Sequence, residues 1–204
     1  MTQKLGILGG TFDPVHLGHL IMAQEAQRLL ILERILFVPA GQPWLKASRS
    51  ITSAQHRLEM LRRALASNPT FQLLTLEIDR LGPSYTVDTL VQLRRELGDE
   101  VELYFILGQD ALADLSRWHR PRQLLELCYL VAMPRPGAAT LDMECLEAAL
   151  PGLKKKVIYL EKAHQVSISA SEIRERVACG EEISHLVPEA VAEYIKEKGL
   201  YLMP

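Results

Sequence analysis

At 204 residues, with 48% hydrophobic and 24% charged side chains and a net charge of −2, the chain has the composition of a soluble globular protein. It suits one α/β domain, alone or with a small helical extension. The charge gives no support to bulk nucleic-acid or membrane-surface binding, so a phosphate-bearing ligand must be met by local positive groups. Cys128, Cys145 and Cys179 are odd in number and form no CxxC pair. That argues against a disulfide framework or a cysteine zinc site and fits inert, buried thiols in a reducing compartment. No stretch approaches the roughly 20 apolar residues of a membrane span. Lys4 leads straight into a strand pattern, without a signal core or cleavage site. The expectation is a cytoplasmic, unprocessed protein that binds neither nucleic acid nor membrane.

In chain order, Leu5–Leu8 reads as a first strand, and Gly18 to Leu30 as a helix with apolar residues at helical spacing. Arg34–Val38 is a second strand ending at Pro39, followed by a loop over 40–50. Thr52 with Gln55 makes a capping-box start for a helix reaching Ser67. Phe71–Ile78 reads as a third strand. Gly82 and Pro83 break the chain before a helix that Thr86 could cap and Gly98 ends. Leu103–Leu107 is a fourth strand, and two short helical segments around a turn at Trp118–Pro121 lead to a fifth, Tyr129–Met133. Thr140–Leu150 reads as a helix, Val157–Leu160 as a last strand, and Ser169–Cys179 and Pro188–Lys198 as terminal helices.

Short strands alternating with helices predict right-handed crossovers and a doubly wound, mainly parallel, Rossmann-like sheet. The reading is a single domain over 1–204, with the sheet core in 1–160 and a small helical portion in 161–204. Ligands in such sheets sit beyond the carboxyl ends of the strands. The informative residues cluster at those ends or just after the last strand.

The chemistry-bearing stretch is GGTFDPVHLGH, Gly9 to His19. A strand that ends in glycines and passes into a helix N-terminus is an anion site, because backbone can approach a phosphate and the first-turn N–H groups point at it. His16 and His19 fall on one helix face there. They could be a metal pair, a capping histidine, or donors to a phosphoryl group that draws both rings toward the protonated state. No GxxxxGK[ST], GxGxxG, GxSxG or HExxH motif occurs. Near the C-terminus, Ser169 with Glu172 forms a second capping box. Ser171 adds a hydroxyl to that first turn, and Arg174 stays close to it.

GGTFDPVHLGH resembles the signature of the HxGH nucleotidylyltransferase superfamily, and ISASEIR (Ile168–Arg174) is similar to that superfamily's second motif, ISSTxIR. The middle of the chain resembles the bacterial nicotinate-nucleotide adenylyltransferases in particular. GPSYTVDTL (Gly82–Leu90) and GQDALADLSRWHRPRQLL (Gly108–Leu125) match segments of that family, as does the ending VPEAVAEYIKEKGLY. The resemblance implies transfer of AMP from ATP to nicotinate mononucleotide, with Mg²⁺ as cofactor held mainly by the ATP phosphates rather than by protein ligands. It implies ATP binding by Gly9, Gly10, Thr11, Phe12, His16, His19, Gly108, Asp110, Ile168, Ser169, Ser171 and Arg174. Of these, His16, His19 and Arg174 would be catalytic.

The mononucleotide would be met by Asp13, Lys46, Ser84, Tyr85, Thr86, Trp118, His119 and Arg135, with Trp118 stacking on the pyridine ring. Where the family usually has Pro-His-Lys after the second strand, this chain has Pro43-Trp44-Leu45-Lys46. Ala170 and Ser171 replace the serine and threonine of the second motif. A homodimer is left open. The alternatives are another HxGH nucleotidylyltransferase, such as a pantetheine-phosphate adenylyltransferase or a glycerol-phosphate cytidylyltransferase, and a non-catalytic nucleotide sensor.

Overall fold

The computed structural model describes residues 2–43, 51–134, 136–137, 141–164 and 167–202. Its centre is a six-stranded sheet in the order β3-β2-β1-β4-β5-β6, and every pairing is parallel. The strands are β1 (Gln3–Gly10), β2 (Arg34–Pro39), β3 (Phe71–Leu73), β4 (Val101–Gly108), β5 (Tyr129–Met133) and β6 (Val157–Tyr159). The order reverses between β1 and β4, which opens a crevice beyond their carboxyl ends.

Both faces of the sheet are covered, so its inner strands are apolar runs rather than alternating ones. Leu5 and Ile7 of β1 pack on one side with Leu90 and Leu93 of α4 (Thr86–Leu97) and Leu124 of α6 (Pro121–Leu127). Leu8 faces the other side, toward Ala23 and Ala26 of α1 (Leu17–Leu30) and Met60 and Leu61 of α2 (Ala54–Leu65). Ile173 of α8 (Ala170–Ala178) and Val191 and Ile195 of α9 (Glu189–Glu197) join that second face. This packing carries the C-terminal helices to the same sheet end as the start of α1. At Gly6 a methyl group would lie 2.5 Å from Ile35 Cδ1, so the strand sits flush against that layer.

The remaining helices are α3 (Leu76–Asp79), α5 (Gln109–Ala113) and α7 (Met143–Ala149), with 3₁₀ turns at Leu115–Arg117 and Leu153–Lys155.

The structure corrects four expectations. Thr86 does not cap α4: Tyr85 is the N-cap, with Thr86 already inside the helix. The third strand stops at Leu73 instead of running to Ile78, and Leu76–Asp79 is helical. The last ladder bond runs from Leu74 N–H to Phe37 O (2.9 Å), whereas the exit of β2 turns to β1, with Ala40 N–H donating to Gly10 O (2.8 Å). Residues after Leu74 therefore have no strand to pair with, and Thr75 starts a helix instead. The cap of α2 is Ser53, whose hydroxyl accepts from His56 N–H, and Thr52 N–H is drawn to Asp13. Only Cys128 is buried; Cys145 and Cys179 are exposed. Cys145 lies on α7, which buries no residue, and Cys179 ends α8 next to Gly180.

Candidate active site

The exit of β1 sets the geometry. Gly9 lies over the ring of Phe105 of β4, where an added methyl group would come 3.3 Å from Cζ. Gly10 faces the ring of Phe12 in the same way. Phe12 adopts a left-handed backbone (φ 51°), and Asp13–Pro14 is cis. The turn delivers His16 as the N-cap of α1, and Leu17 N–H is tied to Leu186 O (2.9 Å). His16 and His19 stack at a ring-centroid distance of 3.7 Å and 27°, and Phe12 meets His19 edge-on at 4.9 Å.

Gly18 is what permits this stack. A methyl group at Gly18 would approach His16 Nδ1 to 3.0 Å and Ile168 Cβ to 3.6 Å. The glycine between the histidines lets the His16 ring fold back over the helix, while Ile168 of the second motif sits at an ordinary contact distance from it. His19 Nδ1 accepts the His16 backbone N–H at 3.2 Å, so that nitrogen carries no proton and His19 donates through Nε2. Two stacked cations would repel where no anion is bound.

The second motif lies opposite. Ser169 caps α8, its hydroxyl accepting from Glu172 N–H at 3.1 Å. The return half of the expected capping box is replaced by an ion pair, as Glu172 takes Arg176 (3.1 Å). Arg174 donates to the Ser171 hydroxyl (3.2 Å) and to Asp13 O (2.7 Å), which joins the two motifs directly. At the end of β4, Gly108 caps α5, and a side chain there would meet no atom within 4 Å. It would project into open space that a ligand can use.

These pieces enclose one cavity of about 420 Å³. The β1 exit supplies Gly9, Gly10, Thr11, Phe12 and Asp13; α1 supplies His16 and His19; β4 and α5 supply Gly108 and Asp110; the second motif supplies Ile168, Ser169, Ser171 and Arg174. Every residue expected at ATP is on that wall. Ile21, Met22, Met133 and Pro134 give it an apolar side that the sequence reading did not single out. His164 also lines it. Its backbone N–H and Nδ1 rest on Glu25 of α1, at 3.3 and 3.4 Å. Arg28 holds that carboxyl below the usual carboxylate range.

The residues expected at the mononucleotide are placed differently. Lys46 and Arg135, with Trp44 and Leu45, lie outside the described residues. Ser84, Tyr85, Thr86, Trp118 and His119 are not on the cavity wall. Tyr85 stacks on His119 (4.1 Å, 21°), Thr86 opens α4, and Trp118 stands edge-on to Phe105 at 6.0 Å. Phe105 is itself a wall residue, so it joins the two groups. Trp118 Nε1 is buried with no hydrogen-bond partner among the described residues.

Ser84 acts on the main chain: its hydroxyl accepts from Gly41 and Gln42 N–H (2.9 and 3.1 Å). It also bonds the buried Glu77, whose carboxyl burial pushes above its usual range against the pull of Thr89 and Ser84. Gly41 passes so close to α3 that a methyl group would lie 2.1 Å from Glu77 O.

Asp13 does line the cavity, but its carboxylate is already engaged. Oδ2 takes Thr52 N–H (3.2 Å) and Oδ1 takes the Tyr201 hydroxyl (2.7 Å). Beside it is Arg57, 2% exposed, which donates to Thr11 O (2.9 Å), Ala40 O (2.7 Å) and Thr52 O (2.9 Å). Burial draws its pKa down and the Asp13 charge pulls it back up. The sequence reading missed Arg57 and Tyr201. Arg57 had a signal: it shares the inward face of α2 with Met60, Leu61, Ala64 and Leu65, and a charge on an apolar stripe needs fixed partners. Tyr201 closes the family-like ending VPEAVAEYIKEKGLY, but nothing local gives its role, because its partner lies 188 residues away.

Among the described residues, no group of three or more His, Cys, Asp and Glu could hold a metal ion, and no helix is long and apolar enough to cross a membrane. The cavity donors are N–H groups, hydroxyls and a guanidinium, a set that suits phosphate oxygens.

The profile of the family described as Cytidylyltransferase-like matches residues 7–176. A Dehalococcoides mccartyi protein named "Probable nicotinate-nucleotide adenylyltransferase" is 50% identical over 201 residues, covering 98% of each chain. A Thermomicrobium roseum protein of the same name is 48% identical, covering 98% of this chain and 92% of its own. In fold, the chain is similar to the Plasmodium falciparum nicotinic acid mononucleotide adenylyltransferase complexed with NaAD. The TM-score is 0.78 at 22% identity, covering 98% of this chain and 97% of that one. With both motifs on one cavity and identity at this level over its length, the chain belongs to the nicotinate-nucleotide adenylyltransferase family, within the cytidylyltransferase-like proteins.

Proposed function

We propose that the protein transfers AMP from ATP to nicotinate mononucleotide, giving nicotinate adenine dinucleotide and pyrophosphate, as a step of NAD biosynthesis in the cytoplasm. The observation that carries this reading is the meeting of two helix N-termini, α1 and α8, on one cavity at the sheet's switch point. That arrangement suits a polyphosphate. The relatives, half-identical over nearly the full chain, support the acceptor. The chain is read as one nucleotidylyltransferase domain over 1–204, with 161–204 carrying the second motif.

The nucleophile is a phosphate oxygen of the mononucleotide, already anionic at neutral pH because a phosphomonoester's second pKa is about 6. It bonds to the α-phosphorus as the bond to the bridging oxygen breaks and pyrophosphate leaves. No general base is needed, so the protein's part is alignment and neutralisation of the departing charge. In this reading the His19 Nε2–H, His16, Arg174 and the free amides of α1 and α8 receive the triphosphate. Asp110 accepts from the ribose hydroxyls. The apolar side at Ile21, Met22 and Met133 takes the adenine.

Mg²⁺ fits this donor set as an ion carried on the nucleotide, where it would neutralise phosphate charge. Ser84, through its hold on Gly41 and Gln42, would shape the acceptor side rather than touch the ligand by its hydroxyl. Trp118, whose buried N–H has no partner among the described residues, would offer its flat face to the pyridine ring. Lys46 and Arg135 are assigned to the acceptor phosphate on the resemblance alone. A homodimer is tested by sedimentation.

The experiment is pyrophosphate release on mixing the protein with ATP, Mg²⁺ and nicotinate mononucleotide, with nicotinamide mononucleotide alongside. Faster turnover with the nicotinate form is expected. Equal or faster turnover with the amide overturns the acceptor assignment, and no product with either overturns the reaction.

A further inference from the structure

Nearly the whole chain separates Asp13 from Tyr201, yet the Tyr201 hydroxyl donates to Asp13 Oδ1 at 2.7 Å. Tyr201 holds a left-handed backbone, φ 65°, a region that costs a non-glycine residue energy and persists where surroundings over-determine it. The surroundings here are the turn after Gly199, Met60 Sδ at 4.0 Å, and Asp13. Asp13 is 6% exposed, and its other oxygen holds Thr52 N–H. Its carbonyl takes Arg174 Nη1 at 2.7 Å, and Arg57 fixes the adjacent Thr11 carbonyl. A carboxylate buried beside two guanidinium groups, with each oxygen occupied, is a structural centre rather than a substrate ligand.

We propose that Tyr201 is a positioning residue that acts through Asp13 on Arg174, so that the chain's C-terminal turn sets where the guanidinium meets the departing pyrophosphate. The inference rests on the reaction proposed above and extends it to a residue outside both signature motifs. Burial and the neighbouring Asp13 charge raise the Tyr201 pKa far beyond any assay pH, so the hydroxyl donates throughout. Without that bond Asp13 can rotate, its carbonyl shifts, and Arg174 loses one of its two fixed contacts. The loss falls on alignment in the transition state, hence on kcat rather than on KM for ATP.

The test is a double-mutant cycle of Tyr201→Phe and Arg174→Ala, each protein verified as folded by circular dichroism and assayed well below its Tm. Tyr201→Phe alone is expected to lower kcat about tenfold with KM for ATP changed less than about twofold. In the Arg174→Ala background the same change is expected to cost less than about twofold, since the group it acts through is gone. An equal loss in both backgrounds, or no loss in the single variant, overturns the proposal. Should Tyr201→Phe fail to fold, Asp13→Asn takes its place in the cycle, because it keeps the carbonyl that Arg174 uses while removing the charge that Tyr201 faces. Turnover is read with whichever mononucleotide the wild type adenylylates. A wild type inert with both defeats the reaction assignment alone; the cycle is then read on calorimetric affinity for pyrophosphate with Mg²⁺, the group Arg174 is proposed to meet, where the same non-additivity is expected and its absence overturns the proposal.

Discussion

Replacing Gly18 by alanine separates stability from activity at the point where the two motifs meet. Gly18 lies in the first turn of α1, and its φ is not positive, so alanine fits the backbone without strain. Alanine is a better helix former than glycine by about 0.5–1 kcal/mol, which in a chain of this length raises Tm by about 1–4 °C. The added methyl group would sit 3.0 Å from His16 Nδ1 and 3.2 Å from its Cε1. It must push the ring by a few tenths of an ångström, out of its 3.7 Å stack with His19. Misplacement by a full ångström costs about 10²-fold in rate, so this smaller shift is expected to lower kcat by about three- to tenfold. The assay is steady-state pyrophosphate release, with Tm from calorimetry on the same samples. Full kcat with a raised Tm would rule this out, because the ring's position would then not matter. A lower Tm would refute it from the other side, because the glycine would be serving the fold.

Three further outcomes follow from the geometry. His19→Ala removes a preorganised donor and the acceptor of the His16 N–H, and is expected to reduce kcat by about 10²–10³-fold with a smaller rise in KM for ATP; wild-type turnover would remove His19 from the mechanism. Glu77→Gln keeps an acceptor for Thr89 and Ser84 but removes a buried charge. A carboxyl whose folded pKa is raised above its unfolded value of 4.5 stabilises the fold below that value and loses its contribution as pH rises through the raised one. The Tm advantage of Glu77→Gln should therefore grow between pH 4.5 and pH 8, and a pH-independent difference in calorimetry would contradict the burial account. Among the cysteines, Cys145 and Cys179 should react rapidly with a thiol reagent in the native protein. Cys128, its thiol pushed up to about 12 by burial, should react only on unfolding; rapid reaction of all three would contradict its placement.

Much of this molecule is written locally. Glycines after an apolar run, a capping serine three residues before a glutamate, and apolar stripes at helical spacing each declare themselves within a few residues. For that reason the alternation of strands and helices follows from the sequence, and so does the placing of both motifs beyond the strands' carboxyl ends; the strand order that opens the crevice between β1 and β4 does not. What goes wrong goes wrong where a partner decides. Phe71–Ile78 has the composition of a strand, but β2 turns away after Phe37, and a strand without a ladder partner becomes a helix. Thr52 is close to Ser53 as a cap by type, but the helix starts one residue later than expected, at Ala54, and Ser53 takes His56 N–H.

The tertiary structure alone decided the roles of three residues around the opening turn. By position Asp13 belongs to a ligand-binding motif, but burial between Thr52 N–H and the Tyr201 hydroxyl makes it a tie. Arg57 hides in the apolar face of α2 and reveals itself as the holder of three carbonyls only once the strand exits converge. Tyr201 carries no local signal of its role, since hydrogen bonds to a group 188 residues distant exist only after the C-terminal helices pack on the sheet. Residue type and spacing say which groups can do the chemistry. Long-range packing says which of them are held still enough to do it.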